Sequence, residues 1–371
     1  MRPVSAAAAV PRASLAPRSF AEIDGFVEDD HLESFRVFAG QAAAILERRL
    51  PLRPARAASP ALTAVFRAAL AQPVSTQDAA RRFFEDHFEA FAVAPSPGFV
   101  TGYYEPIVAG ALAPSAQLAA PVLARPGDLL TLPQGAGLPG LPELSAARRL
   151  PDRRLAPYPE RAEIEAHLEQ YEPLVWLEDP IEVFLAQVQG SARVILPDGR
   201  QIRLVYAGRN GWPYTSIGRI LIEQGEIAPA EMGLAALKAW VQRHGQNPGE
   251  AGAALLHANK SYVFFAIDPH LREADGAVGG AGVSLTPLRS IAVDRTIWPY
   301  GLPFWLDADL PWQEDEPTPF SRLMVAQDTG SAILGPSRAD IFFGSGAGAG
   351  ARAGAIRHAC EFVVLLPKAP A

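Results

Sequence analysis

The chain has 371 residues, more than the roughly 250–300 at which a single core stops growing, so two domains are expected. Hydrophobic residues make up 49% and charged residues 20%, and the net charge of −7 argues against a basic nucleic-acid-binding surface. The single cysteine, Cys360, excludes an internal disulfide framework, and the seven histidines show no HxH or HExxH spacing, so no metal or cofactor is expected.

The elements follow in chain order. Residues 1–25 read as a disordered leader. The run Ala6–Val10 is too short for a secretory apolar region of roughly 7–15 residues, and no stretch approaches the ~20 needed to span a bilayer. From 28 to 93 the spacing is helical. Leu32, Phe35, Phe38, Ala42, Ile45 and Leu46 recur at three- and four-residue steps. Ser59-Pro60 caps a second helix through Leu70, and a third is predicted from Thr76 to Phe91, packing Phe83, Phe84, Phe88 and Phe91.

The stretch PSPGFVTGYYEP (95–106) changes the pattern to a strand over Phe99–Tyr104, halted by Pro106. A Pro/Gly/Leu-rich excursion to about 145 follows and marks a domain boundary. The chain's 35 prolines, about twice the usual ~5% share, favour many turns over long helices. Residues 183–208 read as β structure, with Val194 and Leu196 alternating before Pro-Asp-Gly-Arg and Ile202, Leu204 and Tyr206 after it. Asp198-Gly199 suggests a two-residue hairpin turn with both residues at positive φ. A helix over about 229–244 ends at Gly245 as its cap. From 281 onward short strands dominate: 290–295, 303–309, 322–328, 339–344 and 361–367, with the Gly/Ala run 344–355 as a connector.

Several segments carry possible chemistry. Asp328 leaves a strand before Thr329-Gly330, and Asp340 opens the strand DIFF. A carboxyl set among apolar residues has its pKa raised by burial and can protonate a leaving oxygen. The same two residues can equally be an Asx turn and a surface partner of Arg338. Asp328-Thr329-Gly330 also matches an aspartic-protease motif, but that site needs two such motifs and the chain has one, so it would require a dimer. In TGYYEP the adjacent Tyr103 and Tyr104 face opposite sides of a strand. One ring can stack on a sugar, and Glu105 can in principle complete a two-carboxylate glycosidase. In QVQGSARV, Gln187 and Gln189 are expected on one strand face ending at Gly190-Ser191, with amides suited to polyols or N-acetyl groups.

Taken in order, GYYEP, PYPERAEIE, QVQGSARVILPDG, YAGRNGWPYTSIGRILIEQGEI, SYVFF, the SIAVDR stretch and AQDTGSAILGPSRADIFFG closely resemble the lytic murein transglycosylase A family. The resemblance spans about 95–367. It implies a mainly β fold with a helical N-terminal part: a double-ψ β-barrel domain from 26–105 and 246–371, a second barrel-like domain inserted at 106–245, and a groove between them. It implies a peptidoglycan lytic exotransglycosylase that acts on glycan strands, as a monomer, in the periplasm or at the outer membrane, within reach of cell-wall enzyme complexes. The sequence itself shows no signal peptide and no lipobox cysteine. The resemblance makes Asp340 the single acid–base, Asp328 its support and Asp294 structural. Thr101, Tyr103, Tyr104, Gln187, Gln189, Gly190 and Ser191 would line the glycan site, and Thr329 and Gly330, with Ser331, would ease charge at the sugar. Ser331 stands where the family often has a second glycine. A glycan-binding protein without turnover and a hydrolytic two-carboxylate glycosidase are the alternatives.

Overall fold

A computed structural model describes residues 14–71, 73–133, 136–229, 231–269 and 276–369. It divides into two compact units, one of Met1–Tyr104, Asp275–Gly344 and Gly348–Ala371, the other of Glu105–Ala274 with Ser345–Ala347. The second unit continues past 245 and includes the strand Val263–Ile267. Residues 1–13 of the expected leader lie outside the described residues. The rest of it is ordered: Ser14–Arg18 is a strand paired with Phe88–Ala94, and Ser19 caps the turn Phe20–Glu22.

In the first unit, three helices rest on a closed barrel. They span His31–Leu46, Pro60–Ala71 and Gln77–His87. Each start is capped by a side-chain oxygen that accepts a backbone N–H: Asp30 from Glu33, Ser59 from Leu62 and Thr76 from Ala79. Their apolar faces interlock at Phe38, whose ring meets Phe66, Phe83, Phe84 and Phe88. A fully buried aromatic of this kind contributes about 1.5–3 kcal/mol. The third helix is shorter than its spacing suggests. It stops at His87, and Phe88–Ala94 is a strand that buries Phe88 by alternation and pairs with Arg357–Pro367.

The barrel ring runs Arg357–Pro367, Pro303–Leu310, Thr318–Asp328, Ser290–Val293, Arg338–Ser345 and Gly98–Glu105, and closes as the last pairs with the first. The expected mainly β fold with a barrel and N-terminal helices is therefore present. The Gly/Ala run is not a plain connector: Ala347–Ala355 is a helix. Its small residues let it lie flat against the Gly98–Glu105 strand, where a Cβ at Gly102 would come 2.8 Å from Ala353 Cα.

The second unit holds a four-stranded sheet ordered Val263–Ile267, Gln201–Arg209, Ser191–Ile195 and Ile107–Ala109. The pair Ala120–Leu123 and Pro173–Leu177 shares its core with that sheet. The hairpin at 197–199 differs from expectation. Leu196 N bonds Arg200 O across a three-residue loop, and Gly199, at φ +83, is the position that needs the left-handed conformation. Pro197 fixes the first turn residue, so Asp198 has no need of positive φ. The stretch before it is also corrected: Pro180–Gln189 is a helix, opened by Asp179 as N-cap with Pro180 in its first turn and closed by Gly190.

Candidate active site

Three neighbouring strands place the two acids. Ala292 on Ser290–Val293 pairs with Asp340 of its antiparallel neighbour and with Asp328 of its parallel neighbour. Ladder partners share a face, so both acids stand on one side of the sheet. The Asp328 half of this row depends on a bulge, since the register passes from Ile291↔Ala326 to Ala292↔Asp328 and skips Gln327. Gln327 is turned inward, where it accepts from Ser290 Oγ and donates to Gln41. By alternation Ile291, Val293, Ala339 and Ile341 enter the main core. Ala292 and Phe342, on the acids' side, join Tyr103, Ala277, Leu285 and Ile333 in a small apolar cluster.

The Gly98–Glu105 strand brings one hydroxyl to each acid. Thr101 and Tyr103 are two positions apart and share a face. Thr101 Oγ1 donates to Asp340 Oδ1 at 2.6 Å, and Tyr103 Oη donates to Asp328 Oδ2 at 2.9 Å. Tyr104 takes the other face and lies against Gly350. Asp328 Oδ1 accepts two further bonds, from Gly280 N and Thr329 N, both at 2.7 Å. Gly280 is required here, because a Cβ would sit 2.6 Å from Tyr300 Oη and 3.2 Å from Asp328 Oδ1. Arg53 ties this corner together. Its N–H donates to Gly280 O, its guanidinium to Thr329 O, and its carbonyl accepts from Tyr300 Oη.

Burial pushes Asp340 up to about 6; the Arg338 charge and the Thr101 hydrogen bond hold it down, and the nearby Asp328 charge adds to the rise. Asp328 is also raised by burial, against the pull of the Arg53 charge and of its three donors, Gly280 N, Thr329 N and Tyr103 Oη. Burial and the Asp328 charge push Tyr103 well above the usual phenol range, so it stays a donor. The two acids are thereby unequal. Asp328 has its oxygens occupied and fixed, whereas Asp340 is raised to about 6 with one oxygen held by the Thr101 hydroxyl.

The remaining expected residues are distributed as follows. Asp294 accepts from Thr296 N and Gly335 N and so pins the loop that separates the two acids. Thr329 is buried with its N–H on Asp328 and its hydroxyl on Val293 O, and Gly330 O accepts from Ile333 N. Both donors of Thr329 are thus engaged within the barrel unit. Gln187, Gln189, Gly190 and Ser191 belong to the second unit. Gln187 and Gln189 end a helix rather than share a strand face, because the Asp179-Pro180 start sets helical geometry. Gln187 is buried, its Oε1 accepting from Arg161 at 2.5 Å and its Nε2 donating to Val263 O at 3.1 Å, so its amide serves the packing of that unit.

Glu105, the candidate second carboxylate, is engaged by two guanidiniums. It is fully buried, and its carboxylate accepts from Arg203 at 2.7 Å, Arg193 at 3.2 Å and Ser345 Oγ at 2.7 Å. Among the described residues no hydrogen bond joins Asp328 to Asp340, which disfavours the shared-proton site of an aspartic protease. The described residues also hold no cluster of His, Cys, Asp or Glu able to bind a metal. The sequence reading missed Arg53 and Gly280 as site residues. The doubled glycine 279–280 was a usable signal of close backbone approach. Nothing local marked Arg53, which reaches the site from the loop between the first two helices.

The closed barrel carries Asp328 and Asp340 in one row and Asp294 just past the strand between them, and an inserted unit interrupts it: a barrel protein with three aspartates. The chain matches the MltA specific insert domain over residues 99–266 and the 3D domain over 289–366. It is 31% identical to the membrane-bound lytic murein transglycosylase of Agrobacterium tumefaciens, with a TM-score of 0.84 over 95% of this chain and 98% of that one. It is 27% identical to MltA from Neisseria gonorrhoeae, with a TM-score of 0.77 over 97% and 94%. The chain belongs to the membrane-bound lytic murein transglycosylase A family. Against the Vibrio cholerae relative of that name it is 36% identical over 191 residues, 50% of this chain and 49% of the relative. The chain thus spans about half the length of the curated relatives it matches.

Proposed function

We propose that this chain is a peptidoglycan lytic transglycosylase that cleaves the β-1,4 bond between N-acetylmuramic acid and N-acetylglucosamine without water. The observation that carries this reading is the inequality of the two acids: Asp340 is raised to about 6 with one oxygen held by a single hydroxyl, while Asp328 is occupied by three donors. A hydrolase of the usual kind needs two working carboxylates. Here Glu105 is bound to two guanidiniums and Asp328 to Gly280, Thr329 and Tyr103. One mobile proton favours a one-acid route. Asp340 gives its proton to the glycosidic oxygen as the bond to the muramoyl C1 breaks. As a carboxylate it then takes the proton of the C6 hydroxyl of the same sugar, whose oxygen closes on C1 as the 1,6-anhydro end. Attack from within one residue contributes on the order of 7–11 kcal/mol, which removes the need for an activated water.

Family membership supports the same substrate, and the names of the relatives support a place in the cell envelope. Among the described residues no helix is long and apolar enough to cross a membrane. The test is incubation with purified peptidoglycan and mass analysis of the fragments. The reading expects anhydro ends lighter by one water than reducing ends. Reducing ends would assign a hydrolase, and retained glycan binding without release would assign a binding protein.

A further inference from the structure

The Gly98–Glu105 and Arg338–Ser345 strands meet in three successive contacts that rise together along both strands. The Arg338 guanidinium lies over the Phe99 ring at 5.5 Å, Thr101 bonds Asp340, and the Tyr103 and Phe342 rings meet at 5.3 Å. The first two contacts are linked, since Arg338 Nη2 donates to Thr101 Oγ1 at 2.7 Å while Thr101 Oγ1 donates to Asp340 Oδ1 at 2.6 Å. A guanidinium has donors only, and a hydroxyl has one proton. Once Arg338 occupies the acceptor side of Thr101, the hydroxyl proton has one direction left, toward Asp340 Oδ1. That oxygen is then an acceptor and cannot also carry the acid proton on the same line. Among the described residues Oδ2 of Asp340 receives no hydrogen bond. Arg338 itself is fixed by Phe99 and by a second bond to Ala339 O.

We infer that Arg338 is a positioning residue that acts through the Thr101 hydroxyl to fix the acid proton of Asp340 on Oδ2, the oxygen left for the glycosidic bond. The inference rests on the proposed reaction. It also gives Thr101 a different task from lining the glycan: it transmits the orientation set by Arg338. The groups that face Asp340 are few. Arg338 stands on its own strand, Asp328 is on the strand beyond Ser290–Val293, Tyr103 is on the Gly98–Glu105 strand, and Arg53 bears on Asp328 from the helix loop. Arg338 is the charge among them that lowers Asp340 directly, so its removal moves the titration of the acid as well as the placement of its proton.

The experiment is a kcat and KM comparison across pH 4–9 on purified peptidoglycan, for wild type, Arg338→Met, Arg338→Lys, Thr101→Val and Thr101→Ser. Arg338→Met and Thr101→Val are expected to lower kcat by about 10–100-fold with KM changed less than threefold. Each should also move the alkaline limb of the kcat profile upward by about one pH unit or more. Thr101→Ser, which keeps the hydroxyl, should restore kcat to within about threefold. Arg338→Lys keeps the charge but loses the fork, so it should hold the limb near wild type while kcat stays low. If the Arg338→Met profile merely scales down, or if Thr101→Ser fails while its circular dichroism and melting are native, the inference is wrong. Asp340→Asn, run in parallel, separates this from the proposed reaction: an active Asp340→Asn overturns the reaction itself, whereas an inactive one beside an unshifted Arg338→Met overturns the relay alone.

Discussion

Asp340 in the barrel unit is partly buried and Glu105 in the second unit fully so, and their surroundings differ in kind. Glu105 has two guanidiniums and a hydroxyl on its two oxygens. Those arginines need it as much as it needs them, because Arg193 and Arg203 are direct cross-strand partners in the hairpin, and like charges so placed repel. Asp340 has one hydroxyl on one oxygen and an indirect cation behind it. Burial with full compensation ties a carboxylate into the packing, whereas burial with partial compensation leaves a proton that can move. The first arrangement holds a fold together, and the second can perform acid–base work.

The sharpest way to break this contrast is to exchange each carboxylate for its amide. Asp340→Asn should lower release of anhydro fragments by roughly 100- to 10,000-fold while the fold stays intact, as expected for loss of a general acid. Full activity in that variant would remove Asp340 from the chemistry. Glu105→Gln should act on stability instead. It leaves two buried guanidiniums facing each other across the hairpin, at a cost of about 3–5 kcal/mol, reduced somewhat by Asp268, which lies 3.8 Å from Arg203. Urea unfolding measures this directly, and an unchanged midpoint would mean that the cluster contributes nothing.

How much of this contrast was legible beforehand follows from the range of the interactions. The strands bearing Asp328 and Asp340, the cap at Ser59 and the helix start at Thr76 could be read from local pattern. The partners could not. Thr101 meets Asp340 across 239 positions, and Arg53 meets Thr329 across 276, so no window of sequence contains either pair. Glu105 could not be placed for the same reason: its neighbours in sequence are a tyrosine and a proline, while its charge partners lie 88 and 98 positions on. Gln187 and Gln189 failed differently. Asp179-Pro180 was a sufficient helix start, but the alternation at Val194–Tyr206 was extended back to 183, and local capping decided the outcome.

A third test uses pH to separate the two carboxylates. Asp340 holds its proton in the folded chain up to about 6, against an ordinary 3.8. Its folded-state pKa is raised, so its contribution to stability is complete below about 4 and is lost as pH rises through about 6. At pH 8 the folded chain therefore carries a cost of at most about 3 kcal/mol, nearer about 1–2 because solvent still reaches the residue. Asp340→Asn removes that cost. The variant should be more stable than wild type at pH 8, by an amount that shrinks between pH 6 and 4 and vanishes below. Catalysis runs in the same direction: wild-type turnover should decline above about pH 6 as the acid loses its proton. A stability gain that is the same at pH 4 and pH 8 would show that Asp340 is not titrating in this window.

The smallest effect sets the scale for Glu105. Gly199 turns the hairpin whose two strands carry Arg193 and Arg203, at φ +83 with no atom within 4 Å of a Cβ placed there. Gly199→Ala therefore meets no clash, only the backbone cost of a left-handed alanine, about 1 kcal/mol. The substitution perturbs the same hairpin without touching a charge. If Glu105→Gln costs no more than Gly199→Ala in the same urea titration, the arginines are held by their strands and the carboxylate is incidental. If it costs several times more, the hairpin by itself cannot hold the two guanidiniums together, and the buried carboxylate is what lets them share one face of the sheet.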